Sequence, residues 1–152
     1  MSLILLSEAR QSGAAKYRVP LYKSAASVLR EQASAAPHDA TFDVFLCHSY
    51  TDAQVDDTAI LGVKAILEEF GLRVYVDRLV DSQMTRETVT PGTAATLRHR
   101  MRNSSCLFFA TSRTSSESIW MPWELGFFDG HNGRVGILPL VATTTTDFRG
   151  QE

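Results

Sequence analysis

"FDVFLCHSYTDA", residues 42–53, begins as an almost unbroken apolar run and ends in a polar turn. A strand with one wet face alternates apolar and polar residues. A run without alternation reads as a parallel strand buried on both faces. The following stretch has helical spacing instead: Ala59, Val63, Ile66, Leu67 and Phe70 fall on one face, and Gly71 supplies a stop. Ser49, with Asp52 three residues on, is read as a capping box for that helix.

The same change of period recurs along the chain. "LRVYVD" (72–77) is a second strand, and the aperiodic "RLVDSQMTRETVT" (78–90) is a long loop holding at most a helical turn or a short strand. Thr90 caps the next helix, with Pro91 in its first turn and Ala94, Leu97 and Met101 on one face. "SCLFFATS" (105–112) is a strand, "IWMPWELGFFDG" (119–130) a helix ending near Gly130, and "RVGILPLV" (134–141) the last strand. Strands alternating with helices predict an α/β domain with helices on both faces of a parallel sheet. The expected strands lie at 42–47, 73–77, within 78–90, at 105–110 and at 135–140.

Residues 1–40 differ in texture. "LYKSAASVLREQASAAP" (21–37) is rich in alanine and serine, carries Leu21, Ala25, Val28 and Leu29 at helical spacing, and closes at Pro37. It reads as a helix and linker that packs on the domain or contacts a partner, packing being favoured. The expected division is a 1–40 helical extension and a domain over 41–152. The chain stops at "DFRGQE", so a closing C-terminal helix is expected to be missing.

Composition narrows the function. A chain of 152 residues suffices for one domain with a full core, and a formal charge of −2 gives no basic surface for nucleic acid. No apolar run reaches the length of a membrane span, and the run in "MSLILLSEAR" is too short for a signal peptide. Cys47 and Cys106 sit in strand-like runs and read as reduced, buried thiols of a cytoplasmic protein. Four scattered histidines and no Cys/His spacing predict no metal site.

Ligands of parallel sheets bind outside the carboxyl ends of the strands. That edge collects His48 and Ser49 after the first strand, Asp77 after the second, and the segment leading to Glu124. Trp120 and Glu124 are four apart, one helical turn on one face. An aromatic plate beside a carboxylate suits a flat cationic leaving group such as nicotinamide on ribose. The carboxylate could bond ribose hydroxyls and stabilise positive charge at the anomeric carbon. Each residue has a plainer reading: an early-helix Glu favours the helix start, a strand-end His is solvated, and Ser49 and Asp77 are caps or turn residues.

Four segments in order resemble the Toll/interleukin-1 receptor (TIR) family: "FDVFLCHSYTDA" its first signature box, "LRVYVDR" its second strand, "SIWMPWELGFFDG" its tryptophan-glutamate helix and "RVGILPL" its last-strand box. Together they cover about residues 41–141, and the glutamate helix is most similar to bacterial stand-alone, Thoeris-like antiphage members. The resemblance implies a flavodoxin-like three-layer sandwich on a five-stranded parallel sheet. It implies cleavage of the nicotinamide–ribose bond of NAD+, with ADP-ribose or a cyclised ADP-ribose signal as product. By the family's pattern Glu124 is catalytic and Trp120, four residues before it, binds the substrate; His48, Ser49 and Asp77, at the ligand edge, are read as lining the cleft. NAD+ is the substrate, so no further cofactor is implied. Homotypic TIR assembly and a separate effector that reads the product are implied partners. Two rivals stay open: a non-catalytic TIR interaction adaptor, and a nucleoside deoxyribosyltransferase-like enzyme.

Overall fold

The computed structural model describes residues 3–20, 23–49, 52, 55–77, 90–112 and 121–143. Among these residues five parallel strands form one sheet: β1 (Ile4–Leu5), β2 (Phe42–His48), β3 (Val74–Val76), β4 (Ser104–Thr111) and β5 (Val135–Val141), in the order β1-β5-β4-β2-β3. Five helices accompany them: α1 (Leu6–Tyr17), α2 (Ala25–Ala35), α3 (Asp57–Glu69), α4 (Pro91–Arg102) and α5 (Met121–Asn132). The α/β class and the parallel sheet are as expected, and the apolar run at Phe42–His48 lies inside the sheet between β4 and β3.

The strand set differs from the expected one. The segment 78–89, where a short strand was expected, lies outside the described residues. The fifth strand among the described residues comes from Ile4 and Leu5, which pair with Leu140 and Val141 at the β5 edge.

Alternation along the strands builds two cores. Val44, Leu46, Val74, Val76, Ala110 and Leu140 pack against α1, α2 and α3. Phe45, Cys47, Tyr75 and Leu107 face α4 and α5, where Leu97, Met101 and Phe128 are fully buried. Burying side chains of this size stabilises by roughly 1.5–3 kcal/mol each before conformational entropy is subtracted.

α1 reaches α3 backbone to backbone. A Cβ on Gly62 would stand 1.7 Å from the Ala9 carbonyl oxygen, so only glycine fits there. α2 starts at a capping box in which Ser24 and Ser27 exchange hydrogen bonds, and it packs on α3 and β3. Arg100 donates to the carbonyls of Pro37 (2.5 Å) and Ala36 (2.7 Å), tying the segment after α2 to α4.

Caps place the helix starts. Thr90 accepts from Thr93 N–H at 3.2 Å, as expected. The cap expected for α3 is corrected: α3 begins at Asp57, and Asp56, not Ser49, accepts from Ala59 N–H at 2.9 Å. The chain makes a further turn before the helix, Asp52 N–H to Ser49 O and Val55 N–H to Asp52 O. Phe70, read as part of the buried face, is 79% exposed because α3 ends one residue earlier and Phe70 lies in its C-cap. α5 runs two residues past Gly130 and stops before Gly133, which takes φ +67°.

Candidate active site

The carboxyl ends of β2, β3 and β4 and the first turn of α5 meet at one edge of the sheet. The β2–β3 register aligns Leu46 with Val76, and Asp77 N–H then donates to Leu46 O at 3.3 Å. That last bond sets Asp77 beside Cys47. Both project toward α4 and α5 by strand alternation, the side from which Glu124 approaches. Cys47, Asp77 and Glu124 are 1%, 4% and 2% exposed, so three ionisable groups share one buried spot.

Glu124 is held there by its helix. Met121, Glu124 and Phe128 form the buried face of α5, and the apolar pair sets the angle at which the carboxyl enters. Burial, then the Asp77 charge, then a hydrogen bond to Asp77, push the Glu124 carboxyl well above the usual carboxylate range; the Cys47 thiol opposes them. The Cys47 thiol is itself pushed up, first by burial and then by Glu124 and Asp77. Glu124 Oε1 makes no hydrogen bond within the chain. The pair can hold one proton between two carboxyls and leave an oxygen uncommitted.

Asp52 is the residue that sequence reasoning misassigned. It is 2% exposed, and its Oδ2 accepts from Ser112 N–H at 3.2 Å and from Ser112 Oγ–H at 2.5 Å. Its Oδ1 accepts from Val55 N–H at 3.4 Å. Asp52 therefore ties the turn after β2 to the turn after β4, the two loops flanking the site. The only sequence signal was an acidic residue four positions after a strand end; its partner lies sixty residues further on.

The other expected residues divide. Asp77 stands against Glu124. His48 is buried at the end of β2, and alternation assigns it to the opposite sheet face, toward α3. Ser49 is fully buried directly after it, and its carbonyl accepts the Asp52 N–H. Trp120 lies outside the described residues. Cys47 and Cys106 are both free thiols; Cys106 is half-buried and donates to Asp43 O at 3.2 Å.

No family model matches the chain. It is 39% identical over 149 residues to a Bacillus cereus protein named as a probable 3' cyclic ADP-D-ribose synthase, ThsB', covering 97% of this chain and 75% of that protein. It is 32% identical over 90 residues to a Cytobacillus dafuensis protein provisionally named cyclic ADP-D-ribose synthase TIR2, covering 57% of this chain and 22% of that protein. Among the described residues no helix is long and apolar enough to cross a membrane.

Proposed function

The chain belongs to the family of bacterial TIR proteins that includes ThsB', and from that premise we propose that it cleaves the nicotinamide–ribose bond of NAD+ and releases a cyclic ADP-ribose-type signal. The observation that carries the reading is the Glu124 carboxyl, buried against Asp77 at the ligand edge of the sheet with Oε1 uncommitted.

In this reading the positive charge of the nicotinamide ring shifts the proton shared by the carboxyl pair onto Asp77 as substrate enters, leaving Glu124 ionised. Glu124 then accepts hydrogen bonds from ribose hydroxyls and stabilises the oxocarbenium-like charge that develops as the glycosidic bond breaks. Asp77 keeps the partner proton and sets the pH at which Glu124 ionises. Trp120 stacks on a flat ring of the substrate, and Ser49, directly after β2, shapes the floor of the cleft, while His48 supports it from the opposite sheet face. A single ADP-ribosyl unit returned to its own hydroxyl gives a cyclic product, and transfer to water gives the linear one. The reaction needs no cofactor beyond NAD+ itself.

The biological reading follows the same line. The protein acts in the cytoplasm in antiphage defence, assembles through homotypic TIR contacts involving the segment after Asp77, and signals to a separate effector that reads the nucleotide.

The test is to incubate concentrated protein with NAD+ and identify products by mass spectrometry across a dilution series. Nicotinamide and a cyclic ADP-ribose species, formed more than proportionally as the protein is concentrated, are expected. Intact NAD+ with fully assembled protein would put a non-catalytic interaction module in place of the enzyme.

A further inference from the structure

Tyr75 stands two residues before Asp77, so both side chains leave β3 on the face covered by α4 and α5. The Tyr75 hydroxyl oxygen is sealed from solvent and makes no hydrogen bond among the described residues. A phenylalanine would fill the same space with no polar atom to satisfy. A buried hydroxyl without a partner costs stability, so its place here calls for an account beyond packing.

Among the described residues, β2 brings Cys47 to this face, β3 Asp77, α4 Arg100 and α5 Glu124, all of them buried. α2 also packs on β3 but adds no charge there, since its Arg30 and Glu31 are exposed. The Arg100 guanidinium lies 5.5 Å from the centre of the Tyr75 ring and is fixed by the carbonyls of Ala36 and Pro37. Arginine offers donors only, so Arg100 cannot take the hydroxyl proton. The charged acceptors on this face are Asp77 and Glu124.

Both carboxyls already act on the hydroxyl. Burial, then the Asp77 charge, push the Tyr75 pKa up; the Arg100 guanidinium pulls it down, and Glu124 adds to the rise. The hydroxyl therefore keeps its proton throughout the range in which the carboxyls ionise, and it stays a donor.

We propose that Tyr75 is a positioning residue: its hydroxyl donates to the Asp77–Glu124 pair as that pair takes up its negative charge, with Arg100 holding the ring in place. The inference rests on the reading of Glu124 as the carboxyl that ionises for the reaction proposed above. Hydrogen bonds of this kind are commonly long in an empty site and tighten when substrate is bound. A donor to the charged form favours that form. The hydroxyl therefore lowers the pH at which Glu124 becomes available, while Asp77 raises it.

The experiment follows the Glu124 carboxyl carbon by 13C NMR across pH, without NAD+, in the native chain and in Tyr75→Phe; the signal is assigned by its loss in Glu124→Gln. Tyr75→Phe should move the Glu124 midpoint upward by about one pH unit, the shift that one hydrogen bond to a charged group carries. The pH limb of NAD+ turnover should move the same way, so that kcat below the limb falls about tenfold, a decade per pH unit, with KM little changed. Melting of Tyr75→Phe at acid pH, where the pair is neutral, should match or exceed that of the native chain, because the variant loses an unsatisfied atom. Placing 3-fluorotyrosine at position 75 makes the hydroxyl a stronger donor and should move the midpoint downward. A hydroxyl with a purely structural role would instead lower stability at every pH and leave the midpoint in place. That result, or a downward shift in Tyr75→Phe, would overturn the proposal. If the native chain leaves NAD+ intact while the midpoint still moves upward, the bond from Tyr75 to the pair stands and the NAD+ reading falls.

Discussion

The Glu124 carboxyl lies against the Asp77 carboxyl, one in the first turn of α5 and the other at the end of β3, both screened from water. Two carboxylates this close cannot both ionise at little cost, so the pair titrates as a unit. If ionised Glu124 is the active form, turnover should rise with pH along a limb above the usual carboxylate range. Asp77→Asn removes the neighbouring charge and should move that limb toward lower pH. Turnover measured against pH for both proteins checks this, and a limb that Asp77→Asn leaves in place would refute the coupling.

Glu124→Gln keeps the shape of the side chain and removes its charge. Turnover should fall by about a hundredfold or more, the usual scale for a group that stabilises transition-state charge. Stability should move the other way. A carboxyl whose folded pKa is raised binds its proton more tightly in the native state. Its contribution is complete below the unfolded carboxyl pKa and is lost as pH rises through the folded one. Near neutral pH the variant should therefore melt higher than the native chain, by about 2–4 °C for each kcal/mol, and the gap should close at acid pH. Melting curves at two pH values, beside turnover, make the comparison.

Asp52→Ala should loosen the two loops that flank the site. It removes the acceptor of Ser112 N–H and Oγ–H and leaves buried donors behind, at about 1–3 kcal/mol for such a loss. Denaturant unfolding should show that loss, and KM for NAD+ should rise because the loops no longer hold their spacing. Asp52→Asn, which keeps an acceptor, should recover part of both.

Gly62→Ala adds a single methyl group where none fits, 1.7 Å from Ala9 O and 2.1 Å from Ala9 C. Helix α1 must then back away from α3, at about 1–3 kcal/mol or more for overpacking of this kind. Gly126→Ala is the control, since a Cβ there meets nothing within 4 Å. Equal urea midpoints for the two variants would contradict the close α1–α3 contact.

The fold was legible where burial writes a period into the chain. The continuous run at 42–48 and the spacing of Ala59, Val63 and Leu67 mark a buried strand and its covering helix, and the order of strands and helices follows. Glu124 stood out because a carboxylate on an apolar helix face is rare. Helix α1 was illegible for the opposite reason. It meets α3 through Ala9 and Gly13, small residues that leave no apolar stripe, and β1 is too short to alternate. Asp52 was misassigned because a short-range cap is the simplest reading of a Ser and an Asp three apart. Its true partner depends on two strand ends being neighbours, which no local pattern encodes.

Ile4 pairs with Leu140, about 136 positions later in the chain. As the polypeptide leaves the ribosome, β1 emerges first and has no strand to join until β5 has been made. Closing so long a loop adds little thermodynamic penalty, since the cost grows only with the logarithm of length, but pairing of this range is slow. Until it happens, the outer edge of β5 presents unpaired backbone groups to any other chain. Another copy's β1–α1 unit would fit that edge as well as its own, so crowded refolding should yield exchanged dimers, and slow, dilute refolding should yield monomers.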